Sequence, residues 1–473
     1  MKERIILNIV VLFWAIAVKA HPCFILLFLI WINMMLYAYR KIEQRVLLFA
    51  FGIAFFIFLM GREMLEQFFL HEIETQFHHT INTHTYVSMT ISLIAVWVGY
   101  AFFTKYRYRK GKLLIENCSS YLSQPTPYIK KVRLLSKWAF YATFPFAIAI
   151  GIAITIFVST FGYESYYTDY SEVLSGNPLL YLISKLELIM PAAFCIFMAT
   201  FPSKKEFKTL IIPYVIYLTV SLGTGQRSTF VLGLLLIFIF IVYMQGIRPQ
   251  ENWFHRKYIK YGMLALPILA MGSSMYNVWR FGGDWQEIDL FSGFSDFFYD
   301  QGVSINVIKR AYEYENNLPD KFYTLGFLHS GILAPILGFE VYHGNNIDTA
   351  LYGYSFTHAL GYTIMGDLYF AGRGPGSCYV AELFFDYGYV GVALGSLLYG
   401  CIFSQLLEIS NDKFFKRAII FVSINQLLWA TRAGFVDFLS FLLAPTTLVL
   451  FAFTFLIPKY LVKNRSHYGR NQR

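Results

Sequence analysis

Long apolar runs separated by short polar connections occupy most of this chain, and they leave few architectures open. About 20 residues at 1.5 Å rise carry a helix across a bilayer core, and only segments that satisfy their own backbone hydrogen bonds are stable there. Runs of this length predict transmembrane helices near residues 5–19, 22–39, 46–60, 86–103, 138–162, 179–201, 209–223, 228–244, 261–279, 387–405, 418–430 and 438–457. The stretch from Leu210 to Met244 is too long for one crossing and is broken by the polar sequence Gly223 to Thr229, so it reads as two helices joined by a tight turn. Composition agrees: 56% of the residues are hydrophobic and 14% charged, against roughly 45–50% and about 25% in soluble domains. A soluble globular chain is excluded, and the expectation is an all-α polytopic membrane protein of about twelve helices.

Lysine and arginine set its orientation, because they favour cytoplasmic connections. Of 39 basic residues, 29 fall in the N-terminus, 40–45, 104–137, 202–208, 245–260, 406–417 and the C-terminal tail. Nine fall in the opposite set, and Lys185 lies within a span. Both termini are therefore expected in the cytoplasm. The net charge of +10 is spread between apolar runs, which does not point to nucleic acid. The first apolar segment has the outline of a signal peptide and is read as an uncleaved first span. Three regions follow: 1–279, a bundle of about nine spans; 280–375, a large periplasmic loop between helices 9 and 10 with eleven acidic and five basic residues; and 376–473, about three further spans. Within the loop, Leu325 to Phe339 is apolar but too short to cross, so it is expected to lie in the interface or to re-enter. The five cysteines are unclustered and form neither a disulfide framework nor a zinc pattern. No internal repeat is visible, which argues against a transporter of inverted halves.

Arg227 is the sharpest candidate for chemistry. An arginine in a tight outer turn is costly near hydrocarbon and calls for an anionic partner, and guanidinium binds phosphate oxygens bidentately. Gly223, Gly225 and Gln226 beside it let backbone N–H groups approach the same anion. A snorkelling arginine that marks a helix end would look the same. Arg280 (in Asn277 to Asp284) and Arg373 (in the glycine-rich Ala371 to Ser377) are further cations of the outer side; an interfacial anchor and a flexible hinge are their plainer readings. His358, Asp367 and Glu382 could each take a proton from a sugar hydroxyl, histidine having a pKa already near neutrality. His71, His78, His79 and His84 with Glu72 and Glu74 fit no zinc spacing and are expected in a solvated outer loop. Glu287 and Asp289 form a second carboxylate pair. Aromatic residues such as Trp285, Phe297, Phe298, Tyr299, Tyr352, Tyr354 and Tyr369 could face sugar rings or line the membrane interface. Lys185 and Glu187, two apart, do not share a helix face.

Ser221-Leu-Gly-Thr-Gly-Gln-Arg-Ser228 followed by an apolar helix, and later Gly376-Ser377, Ala381-Glu382, Asp386-Tyr-Gly388 and the run Gly391 to Gly400, resemble the O-antigen or oligosaccharide repeat-unit polymerases called Wzy. The number of spans, the cytoplasmic termini and the late outer loop are similar too. The resemblance implies a metal-independent glycosyltransferase of the inner membrane, without a cofactor, that joins repeat units carried on undecaprenyl diphosphate. Such a protein would work beside a chain-length regulator and a flippase of the same pathway. It implies a diphosphate-binding role for Arg227 and a place in the late motif for Glu382. Arg280, Arg373 and His358 correspond by type and side of the membrane only, and no Arg-x10-Gly pattern is present. An O-antigen ligase would use similar arginines, and a non-enzymatic flippase or transporter of lipid-linked oligosaccharide is the remaining alternative.

Overall fold

The computed structural model of the chain describes residues 2–69, 75–110, 125–162, 177–225, 227–262 and 290–468. Among them every regular element is helical. In chain order they include α1 (Lys2–Ala17), α2 (Pro22–Arg40), α3 (Ile42–Phe69), α4 (His79–Arg109), α5 (Pro127–Phe161), α6 (Leu180–Ala199), α7 (Lys204–Gly223) and α8 (Arg227–Ile247). After 289 come α9 (Leu290–Gln301), α10 (Ile305–Glu313), α11 (Phe356–Met365), α12 (Tyr379–Gln405), α13 (Phe414–Trp429), α14 (Asp437–Leu442) and α15 (Pro445–Val462). Among the described residues nine helices are long and apolar enough to cross a bilayer, namely α2 to α8, α12 and α15. Each coincides with an expected span. Of the other three, α1 and α13 are helices of 16 residues, and 261–279 lies, but for its first two residues, outside the described ones.

One end of the bundle is tied together by arginines. Arg133 on α5 bonds Glu206, which closes a capping box with Ser203 at the start of α7, and its other nitrogen donates to the carbonyls of Thr200 and Phe201. Arg248, just past α8, donates to Phe201 as well. Arg417 on α13 reaches the carbonyls of Ala199 and Ile409, Arg107 faces Glu408 at 4.0 Å, and Arg256 pairs with Glu43. Helix ends leave carbonyls unsatisfied, and these guanidinium groups supply the donors. The described residues of the basic connections 40–45, 104–137, 202–208, 245–260 and 406–417 thus gather at one end.

The helix named α12 doubles back on itself. In a straight helix Tyr379 and Tyr399 would stand about 30 Å apart, yet their ring centroids are 5.2 Å apart. Gly388 makes the reversal with φ +62° and ψ −158°, a conformation open to glycine and strained for other residues. Tyr379–Tyr387 consequently lies antiparallel against the arm that ends at Gln405, close enough that a Cβ on Gly395 would meet the Leu383 side chain at 2.5 Å. This arm, not all 27 residues, is the span expected at 387–405. It packs along α4, where Ser92 bonds both Ser396 and the Tyr379 hydroxyl, and where side chains at Gly99 and Gly400 would collide with facing backbone carbonyls. Small residues at such crossings let membrane helices approach closely.

Candidate functional site

The end opposite the arginine ties carries the sequence candidates. α7 rises to Thr224 and Gly225, the latter with φ +86°, and α8 starts at Arg227. The expected two helices with a tight turn are present. Thr224 and Gly225 are buried, so the described start of the turn is packed into the bundle. Gln226, Arg280 and the side chain of Arg227 lie outside the described residues, as do His71, Glu72, Glu74, Trp285, Glu287 and Asp289.

Glu382 sits on the returning half of α12, buried. Its Oε1 accepts from the Ser377 hydroxyl at 2.6 Å and its Oε2 from the backbone N–H of Phe435 at 2.8 Å. Phe435 belongs to the irregular turn between α13 and α14, whose Gly434 N–H donates to Asp437 at 2.9 Å. The two carboxylates converge: a Cβ on Gly434 would sit 2.8 Å from Asp437 Oδ1 and 2.9 Å from Glu382 Oε1. Burial raises the Asp437 acid above its ordinary range. One helical turn along from Glu382, Asp386 accepts from the N–H groups of Tyr323 and Thr324 and from the Thr324 hydroxyl at 2.6 Å, which fastens the outer segment to the hairpin. Arg432 lies in the same turn as Gly434, bonded to Gln301 at 3.3 Å and resting near the rings of Trp429 and Phe58. Its carbonyl passes Gly376, where a Cβ would be 3.8 Å away. Asp437 and Arg432 were not singled out from sequence. The available signal was an Arg-x-Gly-x-x-Asp interruption between two apolar runs.

His358 and Arg373 form a second group. His358 is half-buried on α11, with Nδ1 3.0 Å from the Tyr369 hydroxyl. The same hydroxyl lies 3.2 Å from the carbonyl of Asn346; the tautomer in which it gives its hydrogen to that carbonyl puts a hydrogen on His358 Nδ1 and leaves Nε2 as the basic nitrogen. Burial holds this imidazole below its ordinary pKa and therefore neutral near pH 7. Asn345 ties Arg373 to the same group, donating to the carbonyls of Tyr369 and Arg373. Arg373 itself is exposed. The structure thus joins His358 with the Arg373 turn, and Glu382 with Asp437.

A family model for the O-antigen polysaccharide polymerase Wzy matches residues 4–465. The chain belongs to the Wzy family. No curated protein and no solved structure matches it. As a Wzy-family member with repeated apolar helices it is a multi-pass membrane protein of lipopolysaccharide biosynthesis, an O-antigen polymerase at the level of the family.

In this Wzy protein the histidines expected in one solvated loop are dispersed. His78 caps the start of α4. His79 lies against the ring of His21 at 4.6 Å. His84 is buried, stacked on Tyr312 at 3.9 Å and bonded to the Tyr389 hydroxyl at 2.9 Å; α4 starts seven residues earlier than the apolar run suggested, and the helix carries this residue into the packing. Among the described residues no three His, Cys, Asp or Glu side chains are grouped to hold a metal ion. Lys185 rests near the ring of Tyr181 at 4.7 Å. Leu325 to Phe339 breaks into a 3-10 turn at Tyr323–His329 and a helix at Leu333–Leu337, where Ile336 is 73% exposed. Sequence reading missed one buried ion pair altogether: Lys309 on α10 meets Glu63 on α3 at 2.6 Å, and the Tyr86 hydroxyl donates to the same carboxylate.

Proposed function

We propose that this chain polymerises oligosaccharide repeat units carried on undecaprenyl diphosphate, at the periplasmic face of the bacterial inner membrane. The observation that carries the reading is the family match across residues 4–465, and the placement of Arg227 supports it. That residue opens a 21-residue helix directly after the glycine turn. A helix N-terminus already favours an anion, and guanidinium adds a permanent charge with bidentate geometry. With about twelve spans and both termini cytoplasmic, the arginine-tied end faces the cytoplasm and the α7–α8 turn faces the periplasm, as the basic bias requires. The exposed Ile336 segment then rests at the bilayer surface.

In the reaction an acceptor sugar hydroxyl attacks the anomeric carbon of the donor, a new C–O bond forms, and the bond to the diphosphate breaks with its electron pair leaving on the diphosphate. Arg227, with Arg280 and Arg373, meets the developing charge, so the step needs no metal. His358 Nε2 takes the hydroxyl proton. Glu382, both of whose oxygens already accept hydrogen bonds, positions the Gly434 turn. The chain draws its substrate from a flippase and yields chains to a length regulator.

The test is the lipopolysaccharide ladder of a strain lacking this gene. Complementation by wild type restores the ladder, Arg227→Ala gives core with a single repeat unit, and Arg227→Lys rescues poorly because an ammonium lacks the bidentate fork. Full activity of the lysine variant would sink the clamp. Bare core in the deletion strain would point to ligation or flipping.

A further inference from the structure

A partly open cavity of about 230 Å³ lies beneath the turn that carries Arg227, between α6, α7, α8, α13 and α14. Membrane bundles fill such space with apolar side chains when nothing else enters it, because an unsatisfied polar group there is costly. Beside apolar residues such as Leu188, Leu232, Val422 and Phe441, this one is lined by Ser228 and Thr229 from the first turn of α8, by Tyr214 and Tyr217 from α7, and by Asn425 and Gln426 from α13. Tyr217 donates to the carboxylate of Glu187, and the oxygen of Tyr214 accepts from Asn425. The other end of that amide, Asn425 Oδ1, is buried without a hydrogen-bond partner. At one wall stands Trp429, whose ring also lies 5.5 Å from the Arg432 guanidinium.

We infer that this cavity is the subsite for the sugar ring linked directly to the lipid diphosphate. The inference rests on the reading of Arg227 as the diphosphate-binding residue. Ser228 follows Arg227 without a gap, so the cavity begins beside the residue that holds the diphosphate, just as the first sugar is bonded to the diphosphate itself. Size agrees: an apolar cavity of about 150 Å³ accommodates benzene, and a pyranose with its hydroxyls needs somewhat more. Chemistry disfavours the isoprenoid tail, which would leave the unpaired Asn425 Oδ1 and the Gln426 amide facing hydrocarbon. Hydroxyl groups satisfy them, and the face of Trp429 meets the C–H side of the ring.

The experiment measures binding to the purified full-length protein in lipid nanodiscs. The probes are bare undecaprenyl diphosphate and the same lipid bearing one glucose, galactose or N-acetylglucosamine. At least one sugar-bearing lipid is expected to bind tenfold or more tightly than the bare lipid. Asn425→Leu, which removes the unpaired acceptor, and Ala192→Leu, which fills space at a lining position, should erase that preference while bare-lipid affinity stays within twofold, a result that also reports an intact fold. Equal affinity for all four lipids in wild type overturns the subsite, as does a preference that survives both variants. Loss of bare-lipid binding together with the preference would assign the cavity to the diphosphate and likewise overturn it. Binding of no lipid by wild type would overturn the diphosphate reading itself.

Discussion

At the arginine-tied end of the bundle, charged donors meet the carbonyls that close helices: Arg133 at Thr200 and Phe201, Arg417 at Ala199 and Ile409. At the opposite end the polarity is inverted, and carboxylates accept from backbone N–H groups of turns and of a 3-10 segment: Glu382 from Phe435, Asp437 from Gly434, Asp386 from Tyr323 and Thr324. Carbonyls left over at helix ends are a generic problem with a generic solution. Irregular backbone inside a membrane bundle is tolerated only where protein or a polar cavity surrounds it. Its retention at one end, beside a cavity with polar groups among its lining residues, supports the proposal that this is the working end.

The sharpest way to break this contrast is to attack the latch that the working end possesses. Lys309 and Glu63 are at most 3% exposed, and removing one partner of a buried pair strands the other charge at a cost of about 3–5 kcal/mol. Lys309→Met should therefore lower thermal stability more than any single surface change, read as an unfolding midpoint in detergent. The double variant Glu63→Gln, Lys309→Met should recover part of the loss, because no charge is then left buried. A single variant as stable as wild type would show that packing of α10 on α4, and not the pair, holds the outer segment.

A smaller stability effect with a larger effect on activity is expected at Gly434. Its missing Cβ is where two carboxylates converge, and both are held by hydrogen bonds, so neither can swing aside freely. Gly434→Ala must break at least one bond to a charged acceptor, worth roughly 1.5–3 kcal/mol, and shift the turn that carries Arg432. Polymer yield per folded molecule should fall at least tenfold while the midpoint moves only a few degrees. Unchanged yield would make the carboxylate pair a packing feature.

How much of this was legible follows from what each feature depends on. Apolar runs need only local chain, so the spans are visible, as is the break at Gly223 to Thr229. The reversal at Gly388 was hidden because both arms are apolar, and a hydropathy pattern has no sign for direction; the glycines at 388, 391 and 395 were in view as a motif without revealing what they bend. The pair of Lys309 with Glu63 joins residues 246 apart, a separation at which charge alone selects no partner. Asp437 looked like an ordinary connection residue because the turn that buries it is fixed by Glu382, more than fifty positions earlier. His358 was visible as a type of residue, whereas its tautomer depends on Tyr369 and Asn346.

That tautomer gives the mildest test of the difference between the two ends. Guanidinium groups stay charged in the working range, so these ties do not switch between pH 5 and 8, whereas the proposed chemistry at the opposite end depends on a neutral imidazole. Because burial lowers the pKa of His358, the proposed base is mostly neutral at pH 7, and the acid limb of kcat/KM should fall below pH 6.5, the ordinary histidine value. Protonation there removes the lone pair of Nε2, so activity is lost as pH decreases and is not lost on the alkaline side for this reason. Tyr369→Phe removes the acceptor that fixes the Nδ1 hydrogen and lets the other tautomer compete. Several-fold lower kcat at pH 7, with substrate affinity unchanged, is the expected signature; an identical pH profile in His358→Gln would transfer the role of base to another residue.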